Sequence, residues 1–309
     1  MNLLRLIVFA FICLPFSGVA GSDPANAKET KLGWNVGNAA NFMYATYQID
    51  RNASGKNAIP EKLRPYNLTY YRQWHNRFKE DLDFLMAVNK THVFIAFRGT
   101  SNDANRKMNS DGRPNLEYAT RVHTGWWRAA EKVWKNELSK LVAEKLGDRK
   151  ILVTGHSMGG AVAAYVVKIM QHNRGKKEAL KKETKLRLVT FGAPRYAFKK
   201  TFFSQTNTLI FTVEAAMANG CVDKVVWDWQ VELRKGHVLY KKVDIQKPNR
   251  KKDVYYYRCQ TDRTKQKDEK GNTSKNSVHS ASNYLNIAKS GKCKYVKYKA
   301  CEPYKKYVD

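Results

Sequence analysis

Acidic residues are scarce in this chain: 27 Asp and Glu face 56 Lys and Arg over 309 residues, a formal net charge of +29. That imbalance disfavours cationic partners and favours polyanions such as anionic lipid headgroups, acidic glycans or nucleic acid. Long apolar runs are also lacking: beyond the first 20 residues no stretch approaches the roughly 20 apolar residues that cross a bilayer. Cysteine is sparse and one-sided, with Cys13 near the start and Cys221, Cys259, Cys293 and Cys301 in the last third. None of them forms a C-x-x-C pair or sits beside a histidine pair, which argues against a zinc site. Internal repeats are absent, and so is any recognisable nucleic-acid-binding module, leaving charge alone to speak for DNA or RNA.

What is present begins with a leader. Arg5 lies in a short positive start, Leu6 to Phe16 is apolar, and Gly18, Val19 and Ala20 are small residues suited to cleavage. Residues 1–20 are therefore expected to be a secretory signal peptide, and the mature protein to be secreted. An exported chain with four remaining cysteines is expected to hold two disulfides among Cys221, Cys259, Cys293 and Cys301, in any of three pairings. Residues 241–309 form a basic, Tyr/Lys-rich region with the run Tyr255-Tyr256-Tyr257 and no Phe or Trp.

Between these ends, strand-like and helical patterns alternate. Gly33 to Ile49 reads as a helix packed through Met43, Tyr44 and Tyr47, and residues 51–75 as a turn-rich surface excursion. Phe84–Val88 and His92–Phe97 read as a hairpin, Ser101–Arg113 as a polar loop, and Val122–Leu146 as a helix. Leu186–Phe191 and Asn207–Val213 read as strands, and Ser280–Lys289 as a late helix. With 43% hydrophobic residues, this order predicts an α/β fold with a mostly parallel sheet covered by helices on both faces.

The segment Ile151 to Ala161 carries the chemistry. An apolar strand runs into Gly155-His156-Ser157-Met158-Gly159, and a helix opens behind it. A sharp strand-to-helix turn of this kind lifts a serine hydroxyl above the sheet. Serine is a weak nucleophile and needs a base oriented by a carboxylate, arranged in such folds in the order Ser, acid, His. His279, at a polar loop-to-helix junction, is the favoured base, with His237 as the competitor. Asp223, in the loop after the Leu209–Val213 strand, is the favoured acid, with Glu214 and Asp228 as alternatives. A developing oxyanion needs preorganised donors. Met158, next after the serine, supplies one N–H, and Thr100 after the His92–Phe97 strand supplies the other donor.

Five ordered blocks now resemble one family. Phe97-Arg98-Gly99-Thr100, Val122-His123-Thr124-Gly125, Gly155 to Gly159, Thr190 to Arg195, and His279-Ser280 followed by Tyr284-Leu285 look like the class-three, fungal-lipase-like lipases of the α/β-hydrolase superfamily. The resemblance implies an α/β-hydrolase fold over roughly residues 28–290, with the base carried in the basic C-terminal region. It implies hydrolysis of acylglycerol or phospholipid esters with no cofactor and no metal. Ser157, His279, Thr100 and Met158 fall on matching positions. Two departures stand out: Asp223-Lys224-Val225-Val226 lacks the proline of the family's acidic motif, and Ser101–Ser110, where relatives carry an amphipathic lid, has almost no apolar face.

Read together, these features predict a secreted serine ester hydrolase acting on lipid esters, drawn to anionic membrane surfaces and without specific nucleic acid. The competing reading is a polyanion- or membrane-binding protein on a hydrolase scaffold with little activity.

Overall fold

The chain's core strands bury both of their faces, and that determines the architecture. A computed structural model describes residues 36–49, 59–79, 81–111, 114–117, 120–175, 180–194, 196, 208–216, 254–260, 279–289 and 293–295. Helix α1 (Val36–Ala45) is followed by strands β1 (Tyr70–Arg77), β2 (Leu82–Val88) and β3 (His92–Phe97). Next come helix α2 (Asp103–Ser110), a two-stranded ribbon of β4 (Pro114–Glu117) and β5 (Thr120–His123), and helices α3 (Thr124–Val133) and α4 (Ser139–Leu146), joined by a π-helical turn at Trp134–Leu138. Strand β6 (Lys150–His156), helix α5 (Met158–His172), and strands β7 (Leu186–Phe191), β8 (Thr208–Ala216) and β9 (Val254–Gln260) follow. Helix α6 (Ala281–Lys289) and strand β10 (Cys293–Tyr295) complete the order.

Among the described residues, eight strands form one sheet in the order β1-β2-β3-β6-β7-β8-β9-β10. Pairing is parallel from β3 through β9 and antiparallel at both ends. Side chains alternate between two cores, as a period of two requires. Phe84, Met86, Val93, Ile95, Phe97, Ile151, Val153 and Leu188 join α3, α4 and α5 on one face. Leu85, Ala87, Phe94, Ala96, Leu152, Val189 and Phe191 join α1 and α6 on the other. This three-layer sandwich, a mostly parallel sheet with helices on both faces, is the α/β arrangement that the sequence predicts. Among the described residues, no helix is long and apolar enough to cross a membrane.

Three expectations are corrected. The excursion expected over 51–75 gives way at Tyr70 to β1, whose Tyr71 and Trp74 are buried on opposite faces of the sheet while polar residues stand between them. The loop expected over 101–113 contains α2, started by the Asn102 side chain accepting from the Asn105 N–H at 2.9 Å and anchored by buried Met108 and Asn109. The helix expected from Val122 starts two residues later, because Val122 and His123 pair with Asn115 and Pro114 in the ribbon.

Candidate functional site

Strand β6 ends at His156, α5 begins at Met158, and Ser157 alone makes the turn, with φ 54° and ψ −132°. A non-glycine residue in that region costs roughly 1–3 kcal/mol, which the surroundings must offset. They do so by gripping its backbone: the Ser157 N–H donates to the Phe191 carbonyl at 2.9 Å, and its own carbonyl accepts from the Gly160 N–H at 2.9 Å. Close approach explains the flanking glycines. A side chain at Gly155 would collide with the Gly159 carbonyl, and one at Gly159 with the Arg98 carbonyl. The strand thus presents Ser157 at the positive end of a 15-residue helix, where Met158 N–H has no carbonyl one turn earlier to bond.

The segment after β3 lies alongside. The Arg98 guanidinium pairs with Asp83 at 2.9 Å, the Arg98 N–H donates to the Asp83 carbonyl, and His75 meets the other carboxylate oxygen at 2.6 Å. Asp83 has 1% of its side chain exposed, so this pair fixes the end of β3 from beneath. Thr100 is held from α2: its hydroxyl oxygen accepts from the Asn109 amide nitrogen at 2.9 Å. The direction of that bond is set further back. The Trp126 indole can only donate, and it donates to Asn109 Oδ1 at 2.8 Å, so the amide must turn its nitrogen to Thr100. Thr100 therefore acts as acceptor toward Asn109 and keeps its own proton for another partner. Behind this, His123 stacks on Trp126 at 3.8 Å and donates from Nε2 to the Asn109 carbonyl. Burial pushes His123 down to about 4, which keeps it neutral.

His279 stands before α6, whose first turn is capped by Ser280 accepting from the Asn283 N–H. Its carbonyl accepts from His156 Nε2 at 2.7 Å. A carbonyl cannot donate, so His156 carries its proton on Nε2, and Nδ1 accepts from the Tyr47 hydroxyl at 2.6 Å. The Tyr47 oxygen in turn accepts from the Gly99 N–H at 3.0 Å. Burial and the neighbouring His279 hold His156 well below the usual histidine range, and burial raises Tyr47. Tyr284 packs its hydroxyl against Gly192, where φ is +55° and no side chain would fit.

Ser157, His279 and Thr100 line one cleft of about 680 Å³, together with Tyr44, Arg106 and Asn109. Among the described residues no cluster of His, Cys, Asp or Glu could hold a metal ion. Asp223, Asp228, His237, Cys221 and Cys301 lie outside the described residues. Glu214 occupies β8, in register with Arg258 of β9. The sequence did not flag Tyr47, His156, Asp83 or Asn109 as site residues. The only local signal was the position of His156 beside the serine.

Residues 94–214 match the family model described as lipase (class 3). Across these residues the chain is similar to the class 3 lipases. The family is one of ester hydrolases, and the matched span includes Thr100, Ser157 and Met158. A search of curated proteins finds no match. Similar solved structures include a Rhizomucor miehei triacylglyceride lipase, 19% identical, covering 62% of this chain and 72% of that one at a TM-score of 0.47. A lipase from Rhizopus microsporus var. chinensis is 17% identical, covering 76% and 74% at 0.47. A triacylglycerol lipase described as having a serine protease triad at its catalytic centre is 18% identical, covering 75% and 79% at 0.48.

Proposed function

We propose that this chain is an exported serine hydrolase that cleaves carboxylic esters of lipids. Ser157 is the nucleophile, His279 the base and Asp223 the acid, and the Met158 N–H and Thr100 are the oxyanion donors. The observation that carries this reading is the strained Ser157 turn, which opens at a helix N-terminus into the cleft that His279 and Thr100 also line.

The chemistry follows from those positions. His279 takes the Ser157 proton as Oγ bonds to the ester carbon, and the carbonyl electrons move onto oxygen. That oxyanion is met by the Met158 N–H and by the proton that Thr100 keeps because Asn109 donates to it. Collapse expels the alcohol, which takes the proton from His279, and leaves an acyl-serine. Water, deprotonated by His279, attacks the acyl carbon, and the fatty acid departs with Ser157 restored. Asp223 holds the imidazole tautomer and stabilises its charged form.

The substrate surface follows from α2. Its one large apolar residue, Met108, is buried, while Arg106 and Lys107 are exposed, so the helix offers a lipid surface charge rather than an apolar face. Together with a net charge of +29, this favours anionic membranes and phospholipid or acylglycerol esters presented on them. The catalytic domain is proposed to span residues 28–290.

A fluorophosphonate probe, followed by peptide mapping, tests the assignment. Label on Ser157, together with a loss of about 1,000-fold or more in ester turnover for Ser157→Ala in a folded protein, supports it. Label on another serine overturns it.

A further inference from the structure

Strands β9 and β10 close the end of the sheet, and their register places Cys293 directly opposite Cys259. Directly opposed residues of an antiparallel pair share a face, with Cα atoms about 4.5–5.5 Å apart. Disulfides span Cα separations of roughly 4.4–6.8 Å, so this register position suits a bond without backbone movement. The remaining pairs of this short ladder are Lys294 with Arg258 and Tyr295 with Tyr257. Like charges directly opposed oppose pairing, so a three-residue strand with one such pair is weak on noncovalent grounds alone.

We propose that Cys259 and Cys293 form a disulfide that staples β10 to β9. This goes beyond the hydrolase reading and rests only on its export, not on its chemistry. The bond forms by exchange: the thiolate of one cysteine attacks the disulfide of an oxidising carrier in the export compartment, and the second thiolate displaces that carrier. Two protein thiols become one disulfide, and the carrier disulfide is reduced to its dithiol, taking up the two protons. The chain segment that the bond closes, from Cys259 to Cys293, contains His279 and the whole of α6. Cross-linking its ends restricts that segment in the unfolded chain and keeps the His279 junction from departing with β10. Cys221 and Cys301 are left to pair with each other.

The pairing is read directly from the full chain produced through an oxidising secretory route, with free thiols alkylated and no reductant added. Trypsin can cut between every two of these four cysteines, at Lys224, Arg258, Arg263, Lys292 and Lys294 among other sites. The expected product is Cys259–Arg263 joined to Cys293–Lys294. Cys259 joined to the peptide of Cys221 or Cys301, or recovered alkylated, overturns the proposal. In a second arm, the Cys259→Ser, Cys293→Ser double variant should inactivate thermally about tenfold faster than wild type. The two single variants should match it, because each removes the same bond. A double variant as durable as wild type overturns the proposal, while the peptide map decides the pairing even if the variant fails to fold.

Discussion

Tyr47 and His156, 109 positions apart, are joined by a 2.6 Å hydrogen bond in which the phenol donates to Nδ1. Through it, the Gly99 N–H on one side of Ser157 is linked to the His279 carbonyl on the other. His156 is buried, Tyr47 is half-buried at the cleft, and both are neutral, so the linkage adds no net charge beside the proposed base.

Removing the phenol should therefore misplace the site rather than the chemistry. Tyr47→Phe leaves the Gly99 N–H and His156 Nδ1 without their partner, at about 1–3 kcal/mol for each buried group. The expected result is a clear fall in thermal stability and a kcat lowered about tenfold or more, read by calorimetry and by steady-state hydrolysis of a soluble short-chain ester. Unchanged stability and turnover would count against the linkage.

In the proposed mechanism Asn109 acts on the oxyanion through Thr100. Asn109→Leu removes the donor that makes Thr100 an acceptor, so the hydroxyl is free to turn away. We expect kcat to fall about 10- to 100-fold with KM nearly constant, since the lost interaction belongs to the transition state. A change confined to KM would place Asn109 in substrate binding instead.

Acid should destabilise the fold through its buried neutral histidines. His123 is held at about 4 against 6.5 in the unfolded chain. Its folded pKa is depressed, so the unfolded state binds more protons between these values, and stability falls as pH drops from 6.5 towards 4. His92, also held at about 4, adds a second contribution of the same sign. Each contributes a slope of about 1.4 kcal/mol per pH unit within that window. Urea unfolding at pH 7, 6, 5 and 4 should show this decline, and His123→Gln should flatten it by about one proton.

Charge should govern surface binding and leave the chemistry alone. Each Lys or Arg near an anionic bilayer contributes about 1 kcal/mol, within a Debye length of about 8 Å at physiological salt. Activity on vesicles containing phosphatidylglycerol should exceed that on phosphatidylcholine vesicles, and the gap should narrow as salt is raised. Arg106→Gln, at the cleft itself, should lower hydrolysis of the anionic vesicles severalfold while changing a soluble uncharged ester by less than about twofold. Equal binding to both vesicle types would reduce the charge to a solubilising surface.

The parts of the fold that could be read from the residues were those whose pattern is local. β2, β3, β6 and β7 are nearly unbroken apolar runs, because both their faces are covered. The Gly155–Gly159 turn was legible for a different reason: its backbone cannot be made with larger residues at either end. β1 was missed because Arg72, Gln73, His75 and Arg77 interrupt its buried aromatics, and α2 because polar anchors, Asn102 and Asn109, hold it in place of a periodic apolar face. Tyr47 had no local signature and His156 only its place beside the serine, since their pairing exists only once α1 lies against the end of β6.

The bulge of β1 between Trp74 and Arg77 has a consequence for the proposed binding to membrane surfaces. There Glu137, from the π-helical turn, accepts from the Trp74 indole at 2.8 Å and pairs with Arg77. The edge strand is thereby bent and tethered inward just where a flat edge would offer backbone groups to another sheet. Copies concentrated side by side on a membrane have no straight edge at β1 to zip together, so dense packing there should not lead to strand-to-strand aggregation through this end of the sheet.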